Sequence, residues 1–278
     1  MAVGQGHVGH GHVGLGSVGP VSRARGAAPG DERDEAGEPS GDRAPGADAG
    51  APSARLVERP ALTFKVRRRG LSPKRQREFD EWMARWSIEL DGPVLDWDDV
   101  FGPDRPAGRG VVLDVGFGHG ESTIELARAQ PHLDVIGVEV HDPGVVTVLD
   151  AIEHDPLPHV RVVHGDVLRF LRRIGPASLE VVRVFFPDPW RKVRQHHRRL
   201  VRDDVVAALV DRLRVGGELH LATDVADYAD AMAIACDADG RLVGGRIERP
   251  DDRPETRFER RGLAEGRPPT DLRYRRAR

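Results

Sequence analysis

The chain has 278 residues, with 42 Lys and Arg against 45 Asp and Glu, a net charge of −3. That balance gives no argument for a polyanionic partner from net charge, so any such argument must rest on clusters. Cys236 is the only cysteine, which excludes an internal disulfide, and no apolar run reaches the roughly 18 residues of a membrane span.

Residues 1–54 contain no Phe, Tyr or Trp and are dense in Gly, Pro, Ala, Asp and Glu. Such a segment cannot bury enough apolar surface to offset chain entropy, so a disordered, low-complexity tail is predicted there. It opens with the degenerate repeat GHVGHGHVGLGSVG, whose His7, His10 and His12 read as solvated. It lacks the basic start and long apolar core of a secretory signal. The tail carries 4 Lys and Arg and 7 Asp and Glu, which leaves the rest of the chain neutral. Residues 55–278 suit one α/β domain.

Ser72-Pro73 predicts a helix start, and Phe79, Trp82, Met83 and Trp86 then share one face. Gly92-Pro93 is expected to close that helical region. From Val111 the pattern alternates. Strands are predicted at Val111–Val115, Asp134–Val140, Val160–Val163, Leu179–Phe186, Glu218–Ala222, Leu242–Glu248 and Leu272–Arg275. Helices are predicted at Glu121–Gln130, Pro143–Glu153, Asp203–Arg214 and Asp224–Asp237, with Gly216-Gly217 expected as a break before the fifth strand. This alternation predicts a Rossmann-like, seven-stranded, mostly parallel sheet with helices on both faces. Ligands in such sheets bind beyond the carboxyl ends of the strands, where strand order reverses. Basic clusters at Lys65–Arg69, Lys74–Arg77, Arg191–Arg199 and Arg273–Arg278 together point to a polyanion.

The strand ends carry the chemistry. After the first strand comes LDVGFGHG, with Gly116, Gly118 and Gly120 letting the backbone pass close under a ligand. The spacing is not the Gly-x-Gly-x-x-Gly of dinucleotide binders. Glu139 ends the second strand, where a carboxylate can accept from ribose hydroxyls. Asp166 ends the third, where it can accept from an adenine amino group. The three together indicate an adenosine ligand. S-adenosylmethionine is the most economical one, since no phosphate-cradling Lys-Ser/Thr follows the glycines. The fourth strand delivers Pro187-Asp188-Pro189-Trp190, a carboxylate fixed between two prolines, followed by Arg191-Lys192.

Here the sequence resembles the bacterial tRNA (guanine-N7-)-methyltransferases of the TrmB type. The motifs that carry the resemblance are LDVGFGHG, GVEVH followed by PGV, FFPDPWRK with Arg198-Arg199 after it, HLATD ending at Asp224, and the run from Arg253 to Gly262. They span roughly Arg67 to Arg275. The resemblance implies a class I S-adenosylmethionine-dependent methyltransferase fold, with cofactor contacts at Asp114, Gly116, Gly118, Glu139, Asp166 and Asp188. It implies Asp188 as the catalytic acid and tRNA contacts at Lys192, Asp224, Thr256, Arg257, Phe258 and Glu259. The implied product is 7-methylguanosine in the tRNA variable loop. The lone cysteine fits a cytoplasmic location, and no metal, membrane or obligate protein partner is expected. Asp114 stands where the family commonly has Glu, and Arg257 where it often has Lys.

Guanine N7 carries a lone pair and no proton, so methyl transfer to it needs no general base. Catalysis then rests on alignment, with reacting atoms held about 3–3.5 Å apart, and on a fixed carboxylate that stabilises the charge growing on the purine. Asp188 suits that role, and Trp190 reads as a wedge holding its loop against the sheet. Lys192, Arg194, Arg198, Arg199, Arg257, Arg260 and Arg261 are candidate phosphate contacts. Two alternatives from other classes are a nucleic-acid methyltransferase acting on an exocyclic amino group and a non-enzymatic RNA-binding module that keeps the cofactor pocket. The first expects a second proline after Pro189; the second expects decay of the acids at the strand ends. A nicotinamide-dependent dehydrogenase is disfavoured by the glycine spacing.

Overall fold

The computed structural model describes residues 62–64, 71–155 and 157–278. The expected disordered segment 1–54, its three histidines and the Lys65–Arg69 cluster lie outside them. Ser72 caps α1 (Pro73–Trp86), its hydroxyl accepting from the Arg75 N–H at 3.3 Å. The helix stops at Trp86, well short of Gly92-Pro93. Ser87 turns extended, its hydroxyl donates to the Met83 carbonyl at 2.6 Å, and the Ile88 N–H donates to the Val162 carbonyl at 2.8 Å. That bond draws the chain into a bridge at the sheet edge. A short helix not predicted from the sequence, α2 (Trp97–Phe101), follows under an Asp96 cap.

The alternating part then runs β1 (Val111–Val115), α3 (Glu121–Ala129), β2 (Asp134–Glu139), α4 (Asp142–His154), β3 (Val160–His164), α5 (Val167–Phe170), β4 (Leu179–Phe185), α6 (Asp203–Arg212), β5 (Leu213–Thr223), α7 (Ala226–Asp237), β6 (Leu242–Ile247), α8 (Arg257–Ala264) and β7 (Thr270–Arg276). The sheet order is β3-β2-β1-β4-β5-β7-β6. All pairings are parallel except those of β7, which is antiparallel to β5 and β6. Strand order reverses between β1 and β4, which puts the ligand crevice at their carboxyl ends.

Every residue of β1 and β2 is buried, as expected for parallel strands covered on both faces. Side chains alternate between two cores. Leu113 and Val115 join Val182, Val206, Leu209 and Tyr228 on the face covered by α5, α6 and α7. Val112 joins Trp82, Val135 and Val145 under α1, α3 and α4. Asp114 shares the parity of Val112, so its carboxylate points towards α3.

Two expectations are corrected here. The Gly216-Gly217 break is a bulge inside β5: Gly216 takes φ +81, and pairing with β4 jumps from Leu179–Leu213 to Val181–Glu218. The fifth strand therefore begins five residues before Glu218, at Leu213, and α6 ends at Arg212. The Arg273–Arg278 cluster is remote from the ligand crevice. β7 pairs Thr270 with Thr223 and Arg275 with Glu218, so its arginines run towards the opposite end of the sheet.

Candidate active site

A cavity of about 490 Å³ opens at the carboxyl ends of β1, β2, β3 and β4. Gly116, Gly118, Glu139, Asp166 and Asp188 all line it. The structure thus brings together five of the six residues expected to hold the cofactor. Thr63, Phe64, His119, His141 and Phe258 complete much of the wall. None of these five was assigned to the cofactor from sequence, although His119 and His141 sit inside the motifs that were.

The glycine loop closes on the second strand through hydrogen bonds. The Gly116 N–H donates to the Val138 carbonyl at 2.8 Å, and the Gly118 N–H donates to Glu139 Oε2 at 2.6 Å. Gly118 takes φ +63, a region that strains residues with a Cβ, and a Cβ there would stand 3.3 Å from the Phe258 ring. A Cβ on Gly116 would meet nothing within 4 Å, so the space above it is open. Nδ1 of His119 is buried without a hydrogen-bond partner among the described residues.

Glu139 is the centre of this wall. Its Oε1 also accepts from the N–H groups of Val140 at 2.6 Å and His141 at 3.0 Å. Burial pushes its pKa up, the three backbone donors offset part of that, and the net direction is upward. Asp166 caps α5, its Oδ1 accepting from the Leu168 N–H at 2.9 Å.

Asp114 behaves differently from the other acids. Its carboxylate accepts from the Thr123 hydroxyl at 2.6 Å and lines a small side cavity rather than the main one. Burial raises its pKa, against the opposing pull of Thr123 and Arg183. The one-methylene reach of Asp is spent on α3.

The Pro187-Asp188-Pro189-Trp190 loop leaves β4 with two residues in the left-handed region, Phe186 at φ +52 and Trp190 at φ +43. Neither is glycine, so the surroundings must hold them there. Trp190 is buried, its Nε1–H donates to the Thr63 carbonyl at 2.9 Å, and the Arg198 guanidinium lies 3.6 Å from its ring centroid. Arg199 Nε donates to the Pro189 carbonyl at 3.0 Å, and the same side chain pairs with Asp227. Trp190 is therefore a wedge.

The residues expected to touch tRNA fall into two groups. Lys192 and Arg257 are exposed, as are Arg191 and Arg194, and no ion pair engages any of the four among the described residues. Thr256 caps α8 by accepting from the Glu259 N–H at 3.1 Å, and Phe258, 42% exposed, leans over the glycine loop. Asp224 accepts from Arg267 Nε at 2.8 Å. Glu259 is 1% exposed and engaged by Arg249 and Arg253, so in this structure it is not on the surface at all. The Lys74–Arg77 cluster is partly neutralised locally: Lys74 and Arg75 pair with Glu78 at 3.7 and 3.1 Å, and Arg75 with Asp150 at 3.2 Å. Of the candidate phosphate contacts, Arg198 and Arg199 serve the loop as described.

Among the described residues, no group of three or more His, Cys, Asp or Glu side chains is placed to hold a metal, and no helix is long and apolar enough to cross a membrane. Residues 108–272 match a family described as putative methyltransferase. The chain is 40% identical over 255 residues to a tRNA (guanine-N(7)-)-methyltransferase of Burkholderia ambifaria, covering 88% of this chain and 97% of that one. It is 43% identical over 222 residues to the enzyme of the same name from Xanthomonas campestris pv. campestris, covering 78% and 84%. Among solved structures it resembles the 16S rRNA methyltransferase KamB in fold, with a TM-score of 0.50 at 18% identity over 65% of this chain and 94% of that one. With identity at that level over most of both chains, the chain belongs to the tRNA (guanine-N7-)-methyltransferase family.

Proposed function

We propose that this protein transfers the methyl group of S-adenosylmethionine to N7 of a guanosine in the variable loop of tRNA, giving 7-methylguanosine, and that it works in the cytoplasm. The observation that carries the reading is the convergence of Glu139, Asp166 and Asp188 on one cavity at the β1/β4 switch point. Its volume, about 490 Å³, lies within the roughly 300–1,000 Å³ of small-molecule sites. The residues present fit the donor. A carboxylate offers about four acceptor positions, and the N–H groups of Gly118, Val140 and His141 take three on Glu139, leaving room for a ribose hydroxyl. Asp166 keeps one oxygen beyond its cap for an amino group. The unpartnered Nδ1 of His119 on the same wall suits a polar ligand.

When bound, the donor supplies a methyl group made electrophilic by a sulfonium. The chain's own work is to align and to balance charge. Asp188 can accept from N1–H and the amino group of a guanine, orienting the ring, and its negative charge opposes the positive charge that grows on the purine. No proton needs removal, so no base is required. The exposed Lys192, Arg194 and Arg257 supply phosphate contacts that set register without reading sequence. Incubation with undermodified tRNA and S-adenosylmethionine, followed by mass spectrometry of the nucleosides, is expected to yield 7-methylguanosine. A methyl group on an adenine amino group, or no methylation, would refute the assignment.

A further inference from the structure

Arg253 is 2% exposed, and its guanidinium meets carboxylates of α8 and β7. Nη1 and Nη2 donate to Glu259 Oε2 and Oε1 at 2.7 and 2.9 Å. Nε stands 2.7 Å from Asp271 Oδ1, and Nη2 donates to Asp271 Oδ2 at 3.1 Å. Its central carbon lies 5.6 Å from the ring centroids of both Phe185 and Phe186. Phe185 ends β4, and Phe186 is the strained first residue of the loop that carries Asp188. Asp271 also binds His220 at 2.9 Å, and the His220 ring meets Phe185 edge-on at 4.9 Å. One cation thus touches both α8 and the root of the Asp188 loop.

We infer that Arg253 is a positioning residue that fastens α8 to the Asp188 loop, with Glu259 as its buried anchor rather than a contact to RNA. The inference rests on the reading of the cavity as the methyl-transfer site. Glu259 has both oxygens occupied, Oε1 also receiving Arg249 Nε at 2.6 Å. A carboxylate turned towards a polyanion would be repelled, whereas here it sits among arginines. Only a planar fork with five donors can hold Glu259 and Asp271 at once while stacking on two rings. The far end of α8 is tied by Arg267, which continues from the helix to Asp224. With both ends held, Phe258 is kept over the glycine loop while Asp188 faces the same cavity.

The test uses the full chain and two variants, Glu259→Gln and Arg253→Lys. Three quantities are read: kcat and KM for tRNA, fluorescence anisotropy of labelled tRNA without methyl donor, and amide hydrogen exchange across residues 257–264. The expected result is a fall in kcat of about 10- to 100-fold from misalignment, with donor-free tRNA affinity unchanged and faster exchange in α8. If Glu259→Gln instead weakened tRNA binding while kcat at saturating tRNA held, Glu259 would be an RNA contact and the inference wrong. Wild-type exchange rates in α8 would equally overturn it. Should Glu259→Gln fail to fold, Arg253→Lys keeps the charge and carries the same three readouts; wild-type values for all of them would sink the idea. Failure of the methyl-transfer reading would show separately, as absence of 7-methylguanosine from the wild-type reaction, while the exchange measurement still reports on the bracket.

Discussion

Asp188 sits where a base would be sought, yet N7 has no proton to remove. The surrounding loop is built for position. Phe186 and Trp190, each in the left-handed region, cost on the order of 1–3 kcal/mol apiece, and they persist because Trp190 is pinned to Thr63 and Arg199 holds the Pro189 carbonyl. Such a loop presents one carboxylate at a fixed point, which is what charge stabilisation requires. Asp188→Ala should lower kcat by about 10²- to 10³-fold, the cost typical of losing one group that stabilises transition-state charge. Binding of S-adenosylhomocysteine, followed by calorimetry, should fall much less, since Glu139 and Asp166 remain. Asp188→Asn keeps an acceptor and loses the charge, so it should retain more activity than Ala if hydrogen bonding contributes. A rate unchanged in Asp188→Ala would reject the role.

At the scale of elements, what the sequence disclosed follows from range. β1 to β4 and α4 were legible because their signals are local: apolar runs bounded by Gly or Pro, and Val145, Val148, Leu149 and Ile152 on one helical face. The strand-end rule then placed Glu139, Asp166 and Asp188 on one cavity. α8 escaped because it is polar and short, and its anchors, Arg253 and Asp271, lie outside it. The Thr256-x-x-Glu259 spacing of a capping box was its one local sign, and Glu259 turns away from that box to Arg253. Asp114 escaped for a like reason, since Thr123 competes for it. The α8 anchor also titrates. Burial pushes Glu259 up, but hydrogen bonds from Arg253 and Arg249 outweigh it and hold the pKa below the ordinary 4.5. Asp271 is likewise lowered: burial pushes it up, but His220 and Arg253 outweigh that. A lowered folded pKa gives stability that is present above the unfolded value and lost as pH falls through the folded one. Urea denaturation should therefore show the wild type more stable than Glu259→Gln at pH 7, with the gap closing below about pH 4.5 as the unfolded carboxyl protonates. A gap that stayed constant down to pH 3 would mean that the Glu259 charge contributes nothing.

For the whole molecule, the question is where the working unit begins. Charge gives no answer, because the body is neutral and its basic residues are divided between structural duties and the exposed group around Lys192 and Arg257. Contacts do give one. Thr63 accepts from the buried Trp190 indole, Leu62 accepts from Arg198 Nε at 2.9 Å, and Thr63 and Phe64 line the cavity. The composition of residues 1–54 gives them no core to bury. Deleting residues 2–54 should leave the melting temperature and turnover at the values of the full chain. Deleting residues 2–64 should not. It strips the acceptor from a buried indole N–H, a loss of about 1–3 kcal/mol, and removes one wall of the cavity. Its melting temperature should fall, and S-adenosylhomocysteine should bind more weakly by calorimetry. Loss of turnover in the shorter deletion would show that residues 2–54 contribute directly; wild-type melting and binding in the longer one would show that the segment at Thr63 is not needed to hold the Asp188 loop.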